Sequence, residues 1–144
     1  MKEQHSFHRG IEDILEGYWM AYENRDIDEI LSYHPKDRDI MLIGTGKDEV
    51  YTSLEEYRKG LERDFAQSEK VELELENYTA DSSGKVAWVS LNLNATVTIE
   101  GKEHKLIPRY TAVLEFIDGK WYIMQSHLSF PSEEQKEGES FPVK

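Results

Sequence analysis

The residues from Val86 to Glu100, VAWVSLNLNATVTIE, alternate along their whole length between two kinds of side chain. One face is aliphatic, and the other carries Trp88 followed by hydroxyl and amide side chains. Alternation with a period of two predicts a β-strand, because successive side chains of a strand point to opposite faces of its sheet. Neither face suits full exposure to water. We therefore expect one face to pack on the protein's own helices and the other to line a cavity or meet a partner.

The same period of two continues on both sides of this segment. KVELELENY precedes it, and HKLIPRYTAVLEFI and KWYIMQSHLSFP follow it, joined by the dipeptide Asp118-Gly119. Aspartate followed by glycine between two alternating runs is a strong signal for a β-hairpin. The second half of the chain therefore predicts a four-stranded antiparallel meander.

Helical spacing dominates the first half of the chain. Apolar residues recur every three or four positions from Phe7 to Tyr22 and from Leu54 to Phe65. Asp26 has the position of a helix cap at the start of a short second helix, and Thr52 or Ser53 is suited to cap the third. Helices that precede the strands, instead of alternating with them, indicate the α+β class.

Composition narrows the possible functions. The 144 residues are the size of one domain, which we expect to span residues 1–131, followed by a polar tail of residues 132–144. A net charge of −12 disfavours binding to nucleic acid or anionic membranes. No apolar run resembles a signal peptide or the roughly 20 residues of a membrane span. We therefore expect a cytoplasmic protein.

The order of helix, short helix, strand, helix and meander resembles the cone-shaped α+β barrel of the nuclear transport factor 2-like superfamily, and within it the SnoaL-like branch. Four stretches carry the likeness: GTGKDEVYTSLEEY, KVAWVSLNLNATV, RYTAVLEFIDGKWYI and QSHLSFP. The resemblance implies N-terminal helices packed in a strongly curved antiparallel sheet. It implies no single activity, because this cone hosts isomerases, cyclases, dehydratases, ligand binders and assembly domains.

The last strand supplies a first candidate for the pocket. Strict alternation places His127 on the same face as Trp121 and Ile123, which are core residues. We therefore expect His127 to point into the cone, where it would bind a ligand or act as a base. The alternative is a histidine held by a structural hydrogen bond.

The neighbouring strand leaves two registers open. A two-residue turn at Asp118-Gly119 places Tyr110 beside His127, whereas a three-residue loop with a glycine bulge favours Arg109. In the resemblance this arginine faces the mouth of the cavity, where it would hold a carboxylate or a carbonyl oxygen. We favour Arg109 in the pocket, with a surface salt bridge as its alternative.

Other candidates come from the long strand and the third helix. Trp88 and Ser90 suit a mixed cavity, or else a dimer surface. Tyr57 and Asp64 share the inner face of the helix, and Asp64 is a candidate for the pocket acid that this superfamily's best-known enzymes use. Glu115 alternates with apolar residues and is expected to point outward.

Several features are assigned structural roles. Trp19 and Tyr22 are expected to pack the cone, and His34 and His104 to lie in loops or on the surface. GTGKDE lacks the spacing of a phosphate-binding loop and predicts a turn at the rim. His5 and His8 share a helical face, but no carboxylates complete a metal site, and we expect neither metal nor cofactor.

Three functions fit this sequence. The first is a cone that binds a small organic molecule. The second is an isomerase, cyclase or dehydratase that moves a proton next to a carbonyl, with His127 or Asp64 as the base and Arg109 or Tyr57 as the oxyanion donor. The third is a non-catalytic assembly domain. Whichever of the three functions is correct, the strand from Val86 to Glu100 has no face suited to water and therefore predicts a homodimer.

Overall fold

The computed structural model of the chain describes residues 2–142, and their side chains from Gly10 onward. The side chains of His5 and His8 lie outside this described part. The helices are α1 (Lys2–Glu23), α2 (Ile27–Ser32) and α3 (Leu54–Gln67). The strands are β1 (Met41–Ile43), β2 (Val50–Tyr51), β3 (Lys70–Ser83), β4 (Val86–Ile99), β5 (Lys102–Leu106), β6 (Arg109–Ile117) and β7 (Lys120–Ser129).

Both predicted helix caps are confirmed. The Asp26 side chain accepts a hydrogen bond from the backbone N–H of Glu29 at 3.1 Å, and Ser53 accepts one from Glu56 at 3.2 Å. Each cap satisfies a backbone donor that has no partner within its own helix. These caps set where α2 and α3 begin, and so which face of α3 meets the sheet.

The strands form one curled, unclosed sheet in the order β2-β1-β7-β6-β4-β3. Strand β1 runs parallel to β7, and the other pairs are antiparallel. The predicted strand HKLIPRYTAVLEFI is broken before Pro108 into β5 and β6, and both pair with β4. Because the helices lie on one side of the sheet only, the predicted α+β cone is confirmed.

The core lies between α1 and the aliphatic face of β4, which we call the inner face of the sheet. Ala87, Val89, Leu91, Leu93 and Ala95 are all buried, as the alternation of β4 predicted. They belong to one apolar core with the buried side of α1. Each fully buried aliphatic side chain of this size contributes roughly 1.5–3 kcal/mol to folding.

The hairpin between β6 and β7 contains a feature that the sequence did not predict. Asp118 and Gly119 form a two-residue turn with φ of 49° and 83°, and Phe116 pairs with Trp121. Further along, Leu114 pairs with Ile123 but Val113 pairs with Gln125, so that Met124 is an extra residue in β7. This β-bulge exchanges the faces of all the residues that follow it.

Two further observations concern the surface. The tail residues from 132 to 142 are exposed along their whole length. Among the described residues, none of the helices combines the length and the apolar character needed to cross a bilayer.

Candidate functional site

A cavity of about 340 Å³ lies between the inner face of the sheet, α1 and α3. Its wall is mainly apolar and includes Val71, Leu73, Leu93 and Phe130. Towards α1 it adjoins a recess of about 70 Å³, and the two spaces share Trp19, Tyr22, Glu49, Asp64 and Leu128. An apolar cavity with a few polar groups at one end has the usual form of a small-molecule site.

Two carboxyl groups face this recess. Asp64, on α3, accepts a hydrogen bond from the Tyr22 hydroxyl at 2.7 Å. Burial raises the pKa of Asp64, and burial together with the nearby Asp64 charge raises the pKa of Glu49. The guanidinium of Arg63, 3.6 Å from Glu49, opposes this effect in part. A raised pKa is what a carboxyl needs in order to give and take protons near neutral pH.

Glu49 reaches the recess because of the glycines in the loop between β1 and β2. The loop is closed by hydrogen bonds from Gly44 N–H to Glu49 O at 2.7 Å and from Glu49 N–H to Gly46 O at 3.0 Å. A Cβ atom on either glycine would collide with the Glu49 side chain. From the sequence, GTGKDE was predicted only to form a turn at the rim, and Glu49 was not predicted as a site residue. The pair of glycines just before an acidic residue was the available signal.

Among the described residues, two buried donors beside the recess have no hydrogen-bond partner, Trp19 Nε1 and the Tyr110 hydroxyl. The rings meet edge to face with centroids 5.2 Å apart, and 5% of Trp19 and 2% of Tyr110 are exposed. The Ser126 hydroxyl is close enough to Tyr110 to offset part of the rise that burial causes in the Tyr110 pKa, but the two make no hydrogen bond of acceptable geometry. An unpaired buried donor costs about 1–3 kcal/mol, so two of them at one recess indicate a place for a ligand's acceptor atom.

A buried histidine adjoins the recess. His34 lies in the connection after α2, as predicted for a loop residue, but it is completely buried and not on the surface. Its Nδ1 lies 2.9 Å from the Ile123 carbonyl and its Nε2 3.1 Å from the Tyr18 hydroxyl, which in turn lies 2.5 Å from the Tyr57 hydroxyl. Burial lowers the pKa of His34 to about 4, and the imidazole is therefore neutral near pH 7.

The predicted site residues separate into two groups. Tyr57, Tyr110 and Asp64 line the recess. Trp88, Ser90 and His127 lie together on the opposite, outer face of the sheet, where they line an open groove of about 550 Å³. The sequence therefore grouped side chains that the sheet keeps on opposite faces.

The predicted inward orientations of His127 and Arg109 are wrong, and the bulge at Met124 is the reason for His127. Trp121 and Ile123 are buried inside, but after the extra residue His127 points outward and pairs with Thr111. Arg109 is exposed on the outer face, since β4 and β6 alternate without a break and Tyr110 takes the inner position opposite Leu91. Glu115 lies outward as predicted, 2.9 Å from Arg38.

Within the described residues, no group of three or more histidine, aspartate and glutamate side chains is arranged to hold a metal ion.

Comparison with solved structures confirms the class of fold, an α+β cone of the nuclear transport factor 2-like type. A protein of this type and of unknown function from Pseudomonas putida KT2440 aligns with a TM-score of 0.79 at 18% identity, over 97% of each chain. A candidate dehydratase of the same family from Streptomyces avermitilis has a TM-score of 0.78 at 15% identity, over 88% of this chain and 97% of that one. A candidate calcium/calmodulin-dependent protein kinase II association domain from Xanthomonas campestris has a TM-score of 0.77 at 24% identity, over 87% and 88%.

Sequence comparison then gives the family. The family model of the SnoaL-like domain matches residues 11–133, and the chain belongs to this family. Curated proteins provide no significant match. At identities of 15–24% the solved structures share the fold with this chain, and their different descriptions assign it no activity.

Proposed function

We propose that this protein binds a small, mainly apolar organic molecule inside the cone, with an oxygen acceptor of the molecule placed against Trp19 Nε1 and the Tyr110 hydroxyl. The observation that carries the proposal is the pair of buried donors without partners at the recess, next to a mainly apolar cavity. A ligand carbonyl would satisfy both donors, and the apolar wall would cover the rest of the molecule.

Removing one donor tests the proposal. In Tyr110→Phe the buried ring remains and the unpaired hydroxyl is lost. We expect the free protein to become more stable by about 1 kcal/mol, because a buried group without a partner is removed. We also expect binding of a carbonyl probe such as acetophenone to weaken roughly five- to tenfold, since one neutral hydrogen bond contributes about 1 kcal/mol.

Thermal unfolding with and without acetophenone measures both effects. The matched control is Trp88→Phe, which changes an aromatic residue of the outer groove and should leave the acetophenone-induced shift unchanged. If Tyr110→Phe lowers the stability of the free protein and leaves binding unaffected, the unpaired hydroxyl has no role in a ligand site.

A second function, proton transfer next to a carbonyl, is favoured by the two carboxyl groups. Asp64 and Glu49 have raised pKa values and face the same recess as the free donors. A carbonyl held by Trp19 and Tyr110 would place its neighbouring C–H within the reach of one carboxylate, and the donors would stabilise the developing enolate oxygen. This is the chemistry of isomerases, cyclases and dehydratases.

Exchange of carbon-bound protons for deuterium tests this function without knowledge of the substrate. With 1-tetralone in D₂O, we expect the protein to accelerate exchange at the carbon next to the carbonyl, and Asp64→Asn or Glu49→Gln to reduce the rate at least tenfold. His127→Gln, which changes the opposite face, is the control. Exchange no faster than in buffer would leave binding as the function.

A further inference from the structure

The hydroxyl groups of the recess face the cavity with a fixed polarity, and this polarity defines a class of ligand. Resting on the binding function proposed above, we infer that the cavity selects a molecule with a hydrogen-bond donor on its α3 side as well as an acceptor at Trp19 and Tyr110. We further infer that the contact between His34 and Tyr18 makes Tyr57 a specificity-determining acceptor.

Hydrogen bonds connect the Ile123 carbonyl, His34, Tyr18 and Tyr57 in series, and the carbonyl at one end fixes their direction. The Ile123 carbonyl can only accept, so His34 Nδ1 carries the proton of the neutral ring. Nε2 is then an acceptor, and the Tyr18 hydroxyl donates to it at 3.1 Å. With its own proton used, Tyr18 accepts from Tyr57 at 2.5 Å. The Tyr57 oxygen therefore has lone pairs left for the recess and no proton.

Tyr22 is constrained in the same way by a different partner. Its hydroxyl donates to Asp64 at 2.7 Å, and its oxygen also has only lone pairs to offer. Both tyrosines line the recess beside the carboxyl groups of Glu49 and Asp64. The side of the recess formed around α3 is thus rich in acceptors, whereas Trp19 and Tyr110 supply donors.

This arrangement changes the roles considered from the sequence. Tyr57 does not serve as an oxyanion donor, because its proton is bound to Tyr18, and Arg109 is on the outer face. The donors for a ligand oxygen are Trp19 and Tyr110. A ligand carboxylate would face Glu49 and Asp64, and we therefore exclude anions. Neutral carbonyl compounds with a hydroxyl or amine at the other end fit both sides.

A matched pair of ligands tests the inference. 4′-Hydroxyacetophenone and 4′-fluoroacetophenone have nearly the same size, but only the first has a donor. We expect the hydroxyl compound to bind the wild-type protein at least fivefold more tightly, measured by calorimetry. Tyr18→Phe frees the Tyr57 proton and should weaken the preference, and Tyr57→Phe should weaken it by removing one acceptor, while Tyr22, Glu49 and Asp64 keep a remainder.

His34→Gln tests whether the hydrogen bonds of His34, and not the shape of its ring, set the ligand preference. A glutamine keeps one donor for Ile123 and one acceptor for Tyr18, and it should keep the preference. Equal binding of the two ketones by the wild-type protein, or a preference that is unchanged in both Tyr18→Phe and Tyr57→Phe, overturns the role of Tyr57. Failure of both ketones to bind would overturn the proposed binding function as well.

The direction of the hydrogen bonds between His34, Tyr18 and Tyr57 is also measurable without a ligand. The ¹⁵N chemical shifts of His34 at pH 7 should show a protonated Nδ1 and an unprotonated Nε2. A proton on Nε2 would make Tyr18 the acceptor and free Tyr57 to donate. That result overturns the inference whatever the ketones do.

Discussion

His34 is a neutral base enclosed by aromatic rings. The rings of Tyr18 and Tyr57 meet it edge to face, with centroids at 5.3 Å and 5.4 Å. Its two nitrogens are both occupied, and a proton taken up from solvent would have to break the contact with Tyr18 or reverse its direction. Protonation of His34 would therefore also disturb the hydrogen bonds of the tyrosines beside the recess.

This burial predicts a loss of stability in acid. The unfolded chain binds a proton at His34 near pH 6.5, whereas the folded protein does so near pH 4. The unfolded state thus takes up the proton first, and the stability present above pH 6.5 falls as the pH drops through this window. The loss attributable to His34 should reach about 3 kcal/mol by pH 4.

Urea unfolding at pH 7.5 and pH 4 measures the effect. His34→Gln, which does not titrate, should lose about 3 kcal/mol less between the two conditions than the wild type does. His104→Gln, on exposed β5, should behave as the wild type. Identical losses of unfolding free energy in the wild type and in His34→Gln would show that protonation of His34 does not destabilise the folded protein.

At the same scale, the sequence identified some of the site residues and missed others. Tyr57 and Asp64 were found because helical spacing fixes the face on which they lie. Trp19 and Tyr22 were predicted only to pack the cone. That Trp19 Nε1 has no partner and that the Tyr22 hydroxyl donates to Asp64 can be seen only once all their neighbours are placed. His34 and Glu49 come from connecting segments, whose direction no periodicity predicts.

At the scale of the element, local rules determined most of what was predicted correctly. The caps at Asp26 and Ser53 and the two-residue turn at Asp118-Gly119 depend on residues only a few positions apart. The bulge at Met124 depends on how β7 pairs with two neighbours at once, β6 on one side and β1 on the other. An alternating sequence carries no mark of such a constraint, which is why the orientation of His127 was mispredicted.

The loop between β1 and β2 provides a prediction at this scale. In Gly44→Ala the new Cβ would meet the carboxylate of Glu49 and approach its Cβ to 2.9 Å. The carboxylate can swing away, but the Cβ of Glu49 can move only with its backbone, so we expect a loss of stability of about 1–3 kcal/mol. The displacement should lower the deuterium exchange of 1-tetralone as much as Glu49→Gln does.

Gly10→Ala is the matched control, because a Cβ at that position of α1 meets nothing within 4 Å. It should leave exchange unchanged and stabilise α1 by up to about 1 kcal/mol. Full exchange activity in a folded Gly44→Ala protein would show that the position of Glu49 does not matter.

At the scale of the whole molecule, the outer face of the sheet exposes two large apolar side chains, Trp88 and Val113, among mainly polar neighbours. Trp88 is 47% exposed and Val113 37%, in the groove that also contains His127. The described part of the tail, up to residue 142, is itself exposed and leaves Trp88 open. We propose that a second copy of the chain covers this face through a two-fold interface of more than roughly 1,000 Å².

Sedimentation at micromolar concentration should then show a dimer. The net charge of −12 on each chain opposes association at long range, so added salt should leave the dimer intact or tighten it. Trp88→Lys should produce monomers, and Met20→Lys, at a position on α1 that is 61% exposed, should not. A wild-type protein that is monomeric at every salt concentration would contradict this interface.

The bulge at Met124 makes chain length, and not only residue identity, a determinant of the lining of the cone. If Met124 took a regular place in the alternation of β7 and did not bulge, Gln125 and His127 would turn towards the recess, and Ser126 and Leu128 would turn away from it. Deleting Met124 would remove the bulge and leave the residues after it on their present faces, so that a β7 one residue shorter can line the cone with the same side chains. When SnoaL-like sequences are aligned, the number of residues between Trp121 and Pro131 should accordingly be compared before any of their side chains.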